Sequence, residues 1–368
     1  MRIDRILYRI LCGGLALGMS SCRVGDGTTD GDVKTELETL AVDETARIKL
    51  VGHAASLATI GDAEAFVNNH SADLLGIITS SKINSEENKN PTLFRVNAIK
   101  RARQEARTRF VRTMSSRIKG LLTAFNDGKT ADLSPLDRYL IAEAKKVMTP
   151  DGRTDVASDS ELRKILSARG IGTQRFDNDC KALSYYFMTG FSDEKIFCDQ
   201  NTVYMLSIFS PARFEFAGRL WLGGKDGAKQ PAPQSMAGSF GSIKNPQNLF
   251  GYSFATFGET PIMIAFGQGA ANSTSRSSRS NAATKAKLEA LNAMKNAYAD
   301  AAISAEMAKY LKLQPQQADD FDAKIADLEK QYAAMVIKGA QELVSKEYKM
   351  SSGGIFSFKI YAWRPESK

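Results

Sequence analysis

The chain has 368 residues, 43% of them apolar, with 49 Lys and Arg, 41 Asp and Glu and two His. That length and apolar content suit two ordinary folded domains and exclude a disordered or collagen-like protein. The formal charge of +8 falls to 46 basic against 40 acidic residues once the first 21 are set aside, a mild excess suited to anionic headgroups or polysaccharide.

Arg2, Arg5 and Arg9 outweigh Asp4 in the first nine residues, and an apolar run of ten, Ile10 to Met19, follows. A permanent bilayer helix needs about 20 apolar residues, so the spacing predicts a signal peptide over 1–21. Met19-Ser20-Ser21-Cys22 then resembles the lipobox of bacterial lipoproteins, with Met19 in place of the usual leucine. Ordinary signal-peptidase cleavage is the rival reading. Cys12 follows Leu11, too large a residue for a second lipobox. The resemblance implies lipid on Cys22 (diacylglycerol, and palmitate among the acyl chains). With Arg23 rather than aspartate next, it also implies sorting to the outer membrane at the periplasmic face, a surface orientation being the alternative. Residues 22–44 are rich in Gly, Asp and Thr without hydrophobic period, the composition of a lipidated flexible tether. The expected partners are the membrane through its anchor, other envelope proteins or an anionic glycolipid. Export makes nucleic acid a poor partner.

The first folded unit is expected over 45–222. It opens on a strand, Leu74 to Thr79. In a long helix after it, Ile99, Ala102, Ala106, Phe110, Met114, Ile118, Leu121 and Phe125 recur every three or four residues and share one face. Further helices are predicted over Pro135 to Met148 and Ser160 to Ala168. In an oxidising compartment Cys180 and Cys198 pair by default, clasping a hairpin with Tyr185 to Met188 on one arm and Ile196-Phe197 on the other, turning through Gly190 to Asp193; two buried free thiols are the alternative. Thr202 to Phe209 closes the unit as an alternating strand ending in Phe209-Ser210-Pro211. Residues 223–248, with five Gly and three Pro, read as a linker.

The second unit, 249–368, repeats the order. A strand over Pro261 to Phe266 leads through Gly267-Gln268-Gly269 and a Ser/Arg-rich loop, Asn272 to Ser280, into a helix with a ridge of small residues: Ala290, Ala293, Ala297, Ala301, Ala305 and Ala308. Another helix is expected over Ala318 to Tyr348, and Ile355 to Trp363 ends in Trp363-Arg364-Pro365. The two helices match without gaps where each begins: Asn97 to Ala106 aligns on Asn281 to Ala290, and seven of ten positions keep type. The repeated order predicts an α+β fold of two related domains, each a small antiparallel or mixed sheet packed on a long Ala-rich helix.

Ile262 to Gly269 followed by alanine every three or four residues resembles the envelope superfamily of SIMPL-like proteins, small surface lipoproteins and the N-terminal part of flagellar assembly protein T. The resemblance implies envelope placement and association with envelope components, with no catalytic residues to transfer. Expectation therefore falls on a non-enzymatic scaffold or binding module. An envelope hydrolase or transferase using carboxylates, or a subunit of a secretion or flagellar assembly, is the alternative.

Candidate chemistry is sparse, and no cofactor or metal site is expected. His53 and His70 stand near no Cys or acidic motif. Gly267-Gln268-Gly269 before a helix could cradle an anion, although it lacks the third glycine of a dinucleotide fingerprint and the lysine of a P-loop; the plain alternative is a flexible connection capped by Ser280 or Asn281. Asp177-Asn178-Asp179 is too short for a calcium loop and reads as a turn. The first long helix carries Arg95, Lys100, Arg101, Arg103, Arg107, Arg109, Arg112, Arg117 and Lys119 against Glu105 alone. Its candidate anion-binding face is Lys100, Arg101, Arg103 and Arg107. The competing reading is a solvated face whose cations are paired with nearby acids.

Overall fold

The computed structural model describes residues 48–50, 57–83, 91–149, 157–199, 201–222, 246, 249–312, 321–349 and 355–365. The expected signal peptide, Cys22, the tether, His53 and nearly all of the 223–248 linker lie outside these residues.

Local chemistry starts the helices where the sequence places them. Thr59 and Asp62 form a capping box on α1 (Ile60–Asn69), and Ser134 caps α3 (Pro135–Met148), which has Pro135 in its first turn. Ser158 and Glu161 cap α4 (Asp159–Arg169) in the same reciprocal way. The long helices are α2 (Pro91–Asn126) and α7 (Arg276–Lys312); α5 (Gln174–Tyr186), α6 (Pro211–Leu222) and α8 (Phe321–Ala333) complete the set described.

The strands form two antiparallel sheets. One has the order β2-β4-β3, from Leu75–Lys82, Thr202–Phe209 and Phe191–Cys198. The other runs β1-β5-β6-β8-β7, from Ile48–Leu50, Gly251–Phe257, Thr260–Ala271, Ile355–Trp363 and Gln341–Lys349. The fold is therefore α+β, with two related units of sheet and long helix.

The relation between the units extends to single residues. In each, the strand before the long helix pairs with the closing strand, which also pairs with the strand preceding it: β2-β4-β3 corresponds to β6-β8-β7. Leu75 lies opposite Phe209, and Met263 opposite Trp363, so both aromatic-x-Pro ends mark the same place. The register slips between Asp193 and Lys195 against β4 and between Glu342 and Val344 against β8. Counted from Phe209 and Trp363, these bulges coincide, with Glu194 extra in one unit and Leu343 in the other. This register places Leu75 on Met263 and so Leu74 to Thr79 on Ile262 to Gly267, one residue beyond the expected Pro261 to Phe266. Pairing to the closing strand sets the alignment.

Thr79 donates its hydroxyl to the Ala102 carbonyl at 2.8 Å. At the equivalent Gly267, a Cβ would stand 1.8 Å from the Ala286 carbonyl oxygen. Ala102 and Ala286 are partners in the aligned ten-residue stretch. The same helical carbonyl thus meets the same strand position in both units, once through a hydroxyl and once through direct backbone approach.

Three expected elements are corrected. Residues 174–186 are helix α5 followed by a short 3-10 turn, not a strand arm: Thr173 caps it, and Phe176, Cys180 and Leu183 recur on one buried face. The helix expected to reach Tyr348 ends at Ala333, and Gly339 at φ 76° precedes β7. Gly267 and Gly269 lie within β6 rather than in a loop, and α7 begins at Arg276, so Ser280 and Asn281 are inside the helix. β1, which lies within the bounds expected for the first unit, pairs instead with β5 of the second.

The units also share a core. At 37 residues α7 is about 55 Å long. Ala282, Ala286, Ala290, Ala293 and Ala297 line its buried first half; beyond them Ile303, Met307, Tyr310 and Leu311 enter the cluster built around Phe110, Met114, Phe176 and Phe187 of the first unit. The expected alanine ridge therefore gives way to large residues, because this half of α7 packs on α5 rather than on its own sheet.

Candidate functional site: the basic flank of the first long helix

The four residues of the candidate anion-binding face do not point together into solvent. Lys100 pairs with Glu289 at 2.5 Å. Arg107 grips Asp300 with both guanidinium nitrogens, one contact at 2.6 Å. Arg103 bonds Asp193 at 2.8 Å while stacking over the Tyr252 ring. Only Arg101 lies on the outer flank, bonding Ser81 Oγ and the Lys82 carbonyl. The expected anion face is thus corrected: three of its four cations are paired with carboxylates of α7 and β3, because α2 packs on its own sheet and on α5 in a way that brings those acids within reach. Arg117 on Asp137 and Lys119 on Asp177 continue the pattern.

In the Arg107–Asp300 pair the carboxylate is buried, while the guanidinium side chain keeps 34% of its surface exposed. Burial pushes the Asp300 carboxyl above its ordinary value and Arg107 pulls it back, while Asp300 keeps Arg107 charged against the cost of burial. Two further arginine–carboxylate groups, both buried, stand elsewhere. Arg213 on α6 bonds Glu194 at the β3 bulge and Ser192. Arg169 holds Asp179 at 2.8 Å and also bonds the Leu311 carbonyl of α7. Asp179 belongs to helix α5, not to a turn. Each carboxylate is fixed by a guanidinium, the arrangement of a structural clamp.

Cys180 is a free, buried thiol on α5, pushed up to about 12 by burial and by the neighbouring Asp179 and Asp177. Cys198, at the end of β3, is not its partner. The expected Cys180–Cys198 bond is therefore not made, because the first cysteine faces a helical core rather than a hairpin arm. His70 ends α1 on the surface, its ring stacked on Phe66 and its Nδ1 against the Phe66 carbonyl. Gly267 and Gly269 offer no anion cradle: α7 carbonyls occupy the space above both.

What remains open is a groove of about 860 Å³ between β2 and the flank of α2, floored by Gly76, Ile77 and Ile78 and walled by Arg101, Arg109 and Arg112. Arg109 pairs with Glu105 at 2.6 Å and reaches the Ile78 carbonyl at 3.3 Å. Arg112 is exposed and makes no side-chain bond among the described residues. These cations are visible in the sequence but their grouping is not, because it depends on how far α2 is rotated over its sheet. Among the described residues no cluster of His, Cys, Asp and Glu could hold a metal ion, and no helix is long and apolar enough to cross a membrane.

No family model matches the chain, and no curated protein matches it. A hypothetical protein from Francisella tularensis, known from a crystal structure, is similar over 91% of this chain and 100% of its own, at 14% identity and a TM-score of 0.49.

Proposed function

We propose that the protein is a non-enzymatic lipoprotein of the outer membrane, anchored through Cys22 and serving as a two-unit scaffold or binding module at the periplasmic face. The observation that carries this reading is Met19-Ser20-Ser21-Cys22 placed directly behind a ten-residue apolar run and a basic N-terminus. The buried carboxylates held by arginines and the open groove are in keeping with a protein that holds partners rather than transforms them. Lipidation of a cysteine uses its sulfur in a thioether, so the anchor and a disulfide at Cys22 exclude one another. Metabolic labelling with a clickable fatty acid tests the anchor: Cys22→Ser abolishes labelling and releases the protein from the membrane fraction. Equal labelling of both proteins, or recovery of a Cys22–Cys198 disulfide peptide from the native protein, would contradict the reading.

A further inference from the structure

The two units differ in one respect that their shared register makes visible. In the second, the outer edge of β6 is filled by β5, which pairs antiparallel from Thr260 to Phe266. In the first, the equivalent edge of β2 pairs with no strand among the described residues. The stretch Gly76, Ile77 and Ile78 corresponds to Ile264, Ala265 and Phe266, and these are the β2 residues that floor the open groove. The groove therefore occupies the place that β5 fills in the second unit.

The helix flank above this place differs in kind. Ala293 of α7 packs in one cluster with Tyr252 and Phe254 of β5. Its counterpart on α2 is Arg109, and the counterpart of Asn296 is Arg112. The filled place has a small apolar wall and the empty one a cationic wall, with Glu105 as the acid among its lining residues. Arg109 and Arg101 presently bond the Ile78 and Lys82 carbonyls, guarding an edge that would otherwise show bare acceptors. We infer that this edge binds an extended acidic segment of another protein, added antiparallel to β2 as β5 is to β6. The incoming backbone N–H groups replace the guanidinium on the Ile78 carbonyl, and Arg109 and Arg112 turn to the carboxylates of the new strand. This deepens the binding-module reading by naming the kind of partner, but it does not depend on the lipid anchor.

The test uses the full mature chain and a labelled seven-residue peptide alternating glutamate and valine, the length of β5. A peptide with lysine for glutamate is the control. Anisotropy is expected to show binding of the acidic peptide at least tenfold tighter than of the basic one, weakening as salt rises. Amide signals of Gly76 and Ile78 should shift on binding. Arg112→Glu, at an exposed side chain that leaves the fold untouched, should weaken binding about tenfold, and Arg109→Glu with Arg112→Glu should abolish it. Equal binding of the two peptides, unchanged binding by the double variant, or shifts confined to the β7 edge would overturn the inference. So would an edge already protected in the free chain and opened by neutralising Asp26, Asp30, Asp32, Glu36 and Glu38, since the chain itself would then fill the place.

Discussion

At Gly267 the absence of a side chain lets β6 touch α7, and its equivalent Thr79 shows what the same position does when there is room. A methyl group at 267 cannot coexist with the Ala286 carbonyl unless the helix moves, so Gly267→Ala should cost about 3 kcal/mol in urea denaturation. Thr79→Ala loses one hydrogen bond and should cost about 1 kcal/mol. Equal effects would show that the close approach at Gly267 carries no cost beyond that of one hydrogen bond. Glu194 and Arg213 are both nearly inaccessible, at 4% and 2% side-chain exposure. Arg213→Met strands a buried carboxylate and should cost roughly 3–5 kcal/mol, whereas Arg213→Met with Glu194→Leu, the residue type of the matching bulge, should recover most of that. Cys180, with its thiol raised to about 12, should resist thiol reagents in the native protein and react only after denaturation. Rapid labelling of Cys180 in the native protein, read by mass spectrometry of its peptide, would contradict the assignment.

Elements were legible where a single repeating period decides them. The strands Thr202–Phe209 and Ile355–Trp363 and the helix Pro135–Met148 stand where alternation and capping place them. β7 was not legible, because an edge strand with Glu342, Lys346 and Glu347 on its surface shows no apolar alternation and reads as a charged helix. α5 was missed for the opposite reason: Tyr185 to Met188 look like a strand until Phe176, Cys180 and Leu183 are seen on one face. The groove was illegible because its cations and its floor come from elements far apart in the chain. Helix starts also govern behaviour in acid. Burial alone would raise Asp137, but Arg117 and Ser134 hold its carboxyl below the ordinary range. Asp62 is likewise lowered by Thr59 at the start of α1. A group lowered in the folded state contributes stability above its unfolded value and loses it as pH falls through the folded value. Urea midpoints should therefore drop below about pH 4, and Asp137→Asn should drop less over the same interval while being less stable at pH 7. A variant with the full acid sensitivity of the parent would rule out this pair as a source of it.

The whole molecule is two copies of a βαββ arrangement welded along α2 and α7 by Arg107–Asp300 and Lys100–Glu289, and by the second half of α7 lying in the first unit's core. Trp221 and Trp363 lie 5.8 Å apart, both in the second unit's cluster. Their fluorescence follows that unit, while far-ultraviolet dichroism follows both. The shared core predicts coincident urea transitions by the two probes, and separate midpoints would show units that fold independently. One strand place is filled in the second unit and, among the described residues, empty in its copy. Residue-resolved amide hydrogen exchange on the free mature chain tests it most directly. Ile264 and Phe266, covered by β5, should exchange slowly, whereas their equivalents Gly76 and Ile78 should exchange orders of magnitude faster. Equal protection at the two edges would contradict the claim.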